Sequence, residues 1–154
     1  MTIDDTDRKI LSLLGLDGRM SNQALAARVG LSPSACLRRL KQLERSGAIR
    51  GYRAIIDEEA LGAGFSAIVH VTLERQTEEA LAAFEEAVAT CESVVQCHLV
   101  SGVNDYILRV TAPSLESFER LHKRTLSALP GVQRIQSSFA LREVVNRPPV
   151  MAAG

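Results

Sequence analysis

The sequence predicts an α+β chain: an N-terminal helix-turn-helix domain, winged-helix-like, followed by a βαββαβ ferredoxin-like sandwich. Three observations predict it. Apolar residues recur at helical spacing through the first fifty positions, the period changes to strand-like alternation from residue 65, and charge is divided unevenly between the two parts. The 154 residues are 46% apolar, enough to fill a core, but only 4% are aromatic and there is no Trp, so that core must be built from Leu, Val, Ile and Ala.

In the first part, Ile10, Leu13 and Leu14 follow an i, i+3, i+4 pattern that stops at the turn signal Asp17-Gly18. Ser21 is placed to cap a second helix carrying Leu25 and Val29, with Ala24 and Ala27 small enough to permit a close crossing, and Gly30 ends it. A third helix has Ser32 as cap, Pro33 at the first helical position, Cys36, Leu40 and Leu43 as its buried seam, and Gly47 just beyond its end. A short helix, a glycine turn and a longer basic helix are the signature of a helix-turn-helix. The following "AIRGYRAIID" reads as a short strand or wing and hinge.

In the second part, "FSAIVHVTLE" alternates, with Phe65, Ala67, Val69, Val71 and Leu73 on one face and Ser66, Ile68, His70 and Thr72 on the other. Thr77 caps a helix with Leu81, Phe84 and Val88 as its stripe and two glutamates near its positive end. "SVVQCHLVSGVNDYILRVTA" predicts a hairpin about Gly-Val-Asn-Asp. Ser114 caps a further helix lined by Leu115, Phe118, Leu121 and Leu129 and ended by Pro130-Gly131, and "RIQSSFALREVV" supplies a fourth strand. The expected divisions are therefore 1–50 for the helix-turn-helix, 51–63 for a strand or hinge linker, 64–146 for the sandwich and 147–154 for a disordered tail. The pairs Val94/Val95, Leu99/Val100 and Ile107/Leu108 suggest that both sides of the sheet are apolar, and hence that the side without helices packs on the sheet of a second chain.

Charge gives the first functional inference. Residues 1–50 hold nine Lys/Arg against five Asp/Glu, and residues 21–50 hold six basic residues against Glu44 alone, although the whole chain is neutral. With Cys36, Leu40 and Leu43 inward, the third helix turns Arg38, Arg39, Lys41, Gln42 and Arg45 outward. A guanidinium fork matches guanine O6 and N7 or a phosphate. Ser32 and Ser34 stand at the positive end of that helix, where hydroxyls and backbone N–H groups meet phosphates. Ser21 and Asn22 open the preceding helix and complete the candidate DNA-binding set. The expected partner is double-stranded DNA at a pseudo-palindromic site.

Other classes receive less support. There is no run of apolar residues long enough for a membrane span, and the acidic start "MTIDDTDRK" is unlike a secretory signal, so the expected location is the cytoplasm. Cys36, Cys91 and Cys97 lack CxxC spacing, which suggests neither a disulfide framework nor a zinc site. No Ser/His/Asp order, nucleophile elbow or phosphate loop points to an enzyme. His70, His98 and Cys97 lie on strands and leave a metal-site alternative, with membership of an apolar or dimer face as the plainer reading.

The run "DRKILSLLGLDGRMSNQALAARVGLSPSACLRRLKQLERSGAIRGYRA", followed by "SGVNDYILRV" and "GVQRIQSSFALREVV", resembles the Lrp/AsnC (leucine-responsive regulatory protein) family of transcription regulators over about residues 3 to 145. The resemblance implies a DNA-binding helix-turn-helix, a ferredoxin-like regulatory domain, dimers built through that domain, often octamers, and modulation by an amino acid, with no other cofactor. It also implies an effector held between dimers by the turn joining the second and third sheet strands, here Ser101 to Tyr106. Gly102, Asn104, Asp105 and Tyr106, with Ser137 on the last strand, are the corresponding contacts. Gly102 can expose backbone N–H groups to a carboxylate, and Asp105 can accept from an α-ammonium.

Overall fold

The computed structural model describes residues 2–149. The chain divides into two compact units, one formed by residues up to Ile55 together with those from Val144 on, the other by residues 56–143.

The first unit contains three helices, α1 (Asp5–Leu16), α2 (Asn22–Val29) and α3 (Pro33–Arg45). Each begins on a side chain that accepts a backbone N–H: Asp4 from Asp7, Ser21 from Ala24 and Ser32 from Ala35. Gly30 closes α2 in the left-handed region, with φ 71° and its N–H donating to the Ala26 carbonyl, a conformation that costs glycine nothing and most residues a great deal. Ile10, Leu25, Ala26, Cys36 and Leu43 form the buried core. The small residue at the buried helix contact is thus Ala26; Ala24 and Ala27, expected there, are exposed. Leu25, Ala26 and Val29 share the inward arc of α2, which turns Ala24 and Ala27 outward.

No strand forms in residues 48–57. The wing expected there has β-branched residues but, among the described residues, no strand to pair with, and Ile55 and Ile56 are exposed. Pro148 lies against α1 at Gly15, where an added Cβ would come within 3.3 Å of the proline ring. The expected tail of residues 147–154 has no regular structure as far as residue 149, and residues 150–154 lie outside the described residues.

The second unit runs β1 (Phe65–Leu73), α4 (Glu78–Ala89), β2 (Val94–Leu99), β3 (Tyr106–Ala112), α5 (Leu115–Arg124) and β4 (Val132–Phe139). All pairings are antiparallel, in the order β2-β3-β1-β4. This is the βαββαβ ferredoxin-like arrangement. β1 buries Ala67, Val69, Val71 and Leu73 as its alternation predicts, and they pack with Phe84 and Val88 of α4, with Phe118 of α5 and with Leu126. Phe65, Phe118 and Phe139 add an aromatic cluster with centroids 4.9 to 5.7 Å apart.

Three expectations change here. α5 ends at Arg124 rather than at Pro130-Gly131; a 3-10 turn, Leu126–Ala128, follows and lets both Leu126 and Leu129 reach the core, while Leu115 is exposed. β4 stops at Phe139: the last ladder bond runs from the Ala140 N–H to the Ser66 carbonyl at the start of β1, and residues 141–145 form no strand. The open sheet face is mixed rather than apolar. Register places Leu99 beside Tyr106 and Cys97 beside Leu108, on the helix-covered side, and Val95 falls in the irregularity between Val94 and Gln96. The open side retains Ile68 and Ile107 among Ser66, His70, Thr72, Gln96, His98, Arg109 and Thr111.

Candidate nucleic-acid and effector sites

The candidate nucleic-acid interface is built on α3. Its N-cap Ser32 accepts from the Ala35 N–H and lies 3.2 Å from the Ser34 hydroxyl, so two hydroxyls gather at the positive helix end. Pro33 begins the helix where an N–H would have no partner, and its carbonyl accepts from Asn22 Nδ2 at 2.8 Å. Asn22 therefore links the start of α2 to the start of α3, and its Oδ1 is buried without a protein partner. Arg38, Lys41, Gln42 and Arg45 are exposed on the arc opposite Cys36 and Leu43. Ser21, Ser32 and Ser34 are exposed as well.

Arg39 differs from its neighbour. Its Nη1 donates to Asp4 Oδ2 at 2.7 Å and to Asp7 Oδ1 at 2.8 Å, and the Asp7 side chain is only 6% exposed. Asp4 and Asp7 also cap α1 reciprocally, each carboxylate accepting the other's backbone N–H. The Asp7 N–H and then the Arg39 guanidinium hold the Asp4 carboxyl below its ordinary range, and the two carboxylates push Arg39 up. The sequence treats Arg38 and Arg39 as a pair; in the fold one is outward and the other is paired within the unit. A further contact missed by sequence reasoning is the Tyr52 hydroxyl donating to Glu44 at 3.0 Å, for which no local pattern exists.

The candidate effector turn is also partly committed to the fold. Gly102 has φ 128°, exposed, with open space where a Cβ would stand. Asp105 Oδ2 accepts the Leu73 N–H at 2.7 Å, and its own N–H donates to the Val71 carbonyl, so this residue clamps the end of β1. Asn104 reaches Thr72 and the His70 ring at 3.4 Å on the open sheet face. Tyr106 is buried against Phe84 and donates to Glu85 at 2.8 Å; burial first, then Glu85, raises its pKa. Ser137 lies on the helix side of β4, its hydroxyl buried without a protein partner. The five residues do not converge on one point: Tyr106 and Ser137 face the helices, whereas Asn104 is on the other side.

A hollow of about 360 Å³ lies between α4 and the edge strand β2, bounded by Glu85, Val88, Val94, Cys97, Leu99 and Tyr106. Of the candidate effector residues only Tyr106 lines it. Cys97 here is half-buried, and burial pushes its thiol pKa up. Register puts His70 and His98 on either side of Ile107 on the open face, opposite to Cys97, and among the described residues no three His, Cys, Asp or Glu side chains converge as a metal ion would require. Nor is any helix among them long and apolar enough to cross a membrane.

Comparison with known proteins decides the relationship. Residues 3–50 match the family model for a winged helix-turn-helix DNA-binding domain, and residues 66–150 match that for the Lrp/AsnC ligand binding domain. The chain belongs to the Lrp/AsnC family. It is similar to the leucine-responsive regulatory protein of Escherichia coli K12, at 41% identity over 142 residues that cover 92% of this chain and 87% of that protein. An HTH-type transcriptional regulator of Sinorhizobium fredii is 51% identical over 117 residues, covering 76% of this chain and 92% of the relative. Among solved structures, a transcriptional regulator of Neisseria meningitidis in complex with L-methionine superposes with a TM-score of 0.88 at 39% identity, covering 95% of this chain and 94% of that one. A feast or famine regulatory protein of Mycobacterium tuberculosis, complexed with L-methionine, gives 0.83 at 35%, covering 94% and 96%. This Lrp/AsnC chain is thus a transcriptional regulator with a DNA-binding unit and a ligand-binding unit.

Proposed function

We propose that this Lrp/AsnC regulator acts in the cytoplasm as a symmetric homo-oligomer, a dimer or an octamer built from dimers, that places paired α3 helices on pseudo-palindromic duplex DNA. An amino acid bound at the ligand-binding unit shifts the balance between assemblies. The observation that carries the reading is the cationic arc of α3: Arg38, Lys41 and Arg45 are exposed on one side of a helix whose opposite side is core, with two serine hydroxyls at its positive end. Two-fold symmetry would present two such helices to half-sites about one helical turn apart.

The ligand-binding unit supports an amino-acid effector in two ways. Gly102 opens the β2–β3 turn to a carboxylate, and two superposing relatives hold L-methionine. Gly102 and Asn104 remain available for contact, with Asp105, Tyr106 and Ser137 acting mainly through the fold. An effector changes the assembly only by its difference in affinity for the two forms.

One experiment addresses both parts: duplex binding measured over a range of salt, with and without each amino acid, after a thermal-shift screen identifies which ones stabilise the protein. Arg38→Ala is expected to weaken binding by about 1–3 kcal/mol, and to flatten the log–log salt slope by about 0.9 if the lost contact is to phosphate. Unchanged affinity and slope in this variant would remove α3 from the interface.

A further inference from the structure

We infer that Arg39 is a positioning residue, which locks the start of α1 to the recognition helix through Asp4 and Asp7 and thereby sets the direction in which Arg38 faces DNA, without binding phosphate itself. The inference rests on the DNA-binding reading above and refines it.

The geometry is specific. One guanidinium nitrogen is shared by two carboxylates at 2.7 and 2.8 Å, and those carboxylates are the two halves of the α1 capping box. A single cation therefore completes the cap of one helix while belonging to another. Asp7 is the buried charged residue among those described, and a buried carboxylate stripped of its cation is far more costly than one left paired. For Arg39 to reach a phosphate it must leave Asp7 in that condition or divide its fork between two anions. Arg38 faces no such choice: it is exposed, one position and about 100° further round the helix. α1 and α3 also share the core through Ile10, Cys36 and Leu43, so a loosened α1 alters the support beneath the arc that carries Arg38. Recognition tolerates little change in aim, because a bidentate guanidinium contact needs its fork coplanar with the base edge.

Arg39→Gln, Arg39→Lys and the double variant Asp7→Asn/Arg39→Gln distinguish positioning from contact. All are compared with the unaltered full chain for duplex affinity over a range of salt, at a temperature well below each variant's melting point. The expected result is that Arg39→Gln weakens binding about tenfold with the salt slope unchanged, because no phosphate contact is lost. Arg39→Lys and the double variant are expected to bind within about threefold of the unaltered chain, the first because it keeps the cation and the second because a neutral Asn–Gln amide pair removes the buried charge while keeping a hydrogen bond between α1 and α3.

A slope flatter by about 0.9 in Arg39→Gln, persisting in the double variant, would make Arg39 a phosphate contact and overturn the inference. A lowered melting temperature with unchanged affinity would overturn it too, leaving a structural role alone. If Arg39→Gln does not fold, Arg39→Lys and the double variant decide: unaltered slope and near-unaltered affinity in both support positioning, and loss in the double variant refutes it. Failure of the unaltered chain to bind duplex at any salt would instead refute the DNA-binding reading.

Discussion

At the scale of single residues, the fold gives structural work to side chains that the sequence offers for recognition. Asp105 is the clearest case. Its carboxylate is chemically suited to an α-ammonium, yet Oδ2 accepts the Leu73 N–H at 2.7 Å and approaches Gln76 Nε2 at 3.4 Å, while the backbone of the same residue bonds to Val71 and Val100. One residue thus joins the end of β1 to the start of β3. Asp105→Ala leaves the Leu73 N–H without that acceptor and is expected to destabilise the effector-free protein by about 1–3 kcal/mol, whereas Asp105→Asn keeps an acceptor and should lose less. Denaturant unfolding without amino acid measures this; an unaltered midpoint in Asp105→Ala would show that the clamp is energetically idle and return the residue to a purely effector role. Sequence alone does not expose the clamp, because Leu73 and Asp105 are brought together only by the β1–β3 pairing.

At the scale of elements, legibility follows the range of the interaction. The caps at Ser21, Ser32, Thr77 and Ser114 are readable because each hydroxyl meets an N–H three residues along the same chain. The β1 alternation is readable because one face is wholly covered. Strand ends are not, since a β-branched stretch becomes a strand only beside another: residues 48–57 and 141–145 have suitable residues, but among the described residues no strand pairs with them. The capping box at Asp4 is local and therefore legible in principle, but its pairing with Arg39, 35 residues away, is not. The caps also separate two roles at the start of α3. Ser32→Ala removes the bond to the Ala35 N–H and is expected to cost about 1 kcal/mol of stability. Ser34→Ala removes no cap and should leave the melting temperature unaltered, so a loss of DNA affinity in that variant reports contact rather than helix formation. Thermal unfolding run alongside the binding assay makes the comparison, and equal melting losses in the two variants would contradict the division.

At the scale of the whole molecule, a neutral chain is divided into a basic recognition unit and an acidic sensing unit, and the open sheet face is the surface through which copies of the second unit are proposed to meet. That face is less apolar than the sequence suggests, so association through it depends on a small apolar centre, Ile68 and Ile107, rather than on a broad greasy patch. Central positions of this kind dominate binding energy while the polar rim contributes mainly by excluding water. Ile107 is only half-buried in the single chain, and its strand neighbours on the open side are His70 and His98. Ile107→Asp therefore disturbs the helix-side core little, whereas in a sheet-on-sheet dimer it buries a carboxylate from each copy within the interface. Light scattering over a dilution series is expected to show a smaller species for Ile107→Asp than for the unaltered chain, with helix and strand content retained by circular dichroism. Because the pseudo-palindromic site proposed above needs two recognition helices at once, DNA affinity should fall in parallel even though α3 is unchanged. An Ile107→Asp protein with the mass and DNA affinity of the unaltered chain would mean that copies meet through some other surface, and that the mixed face serves the solvent.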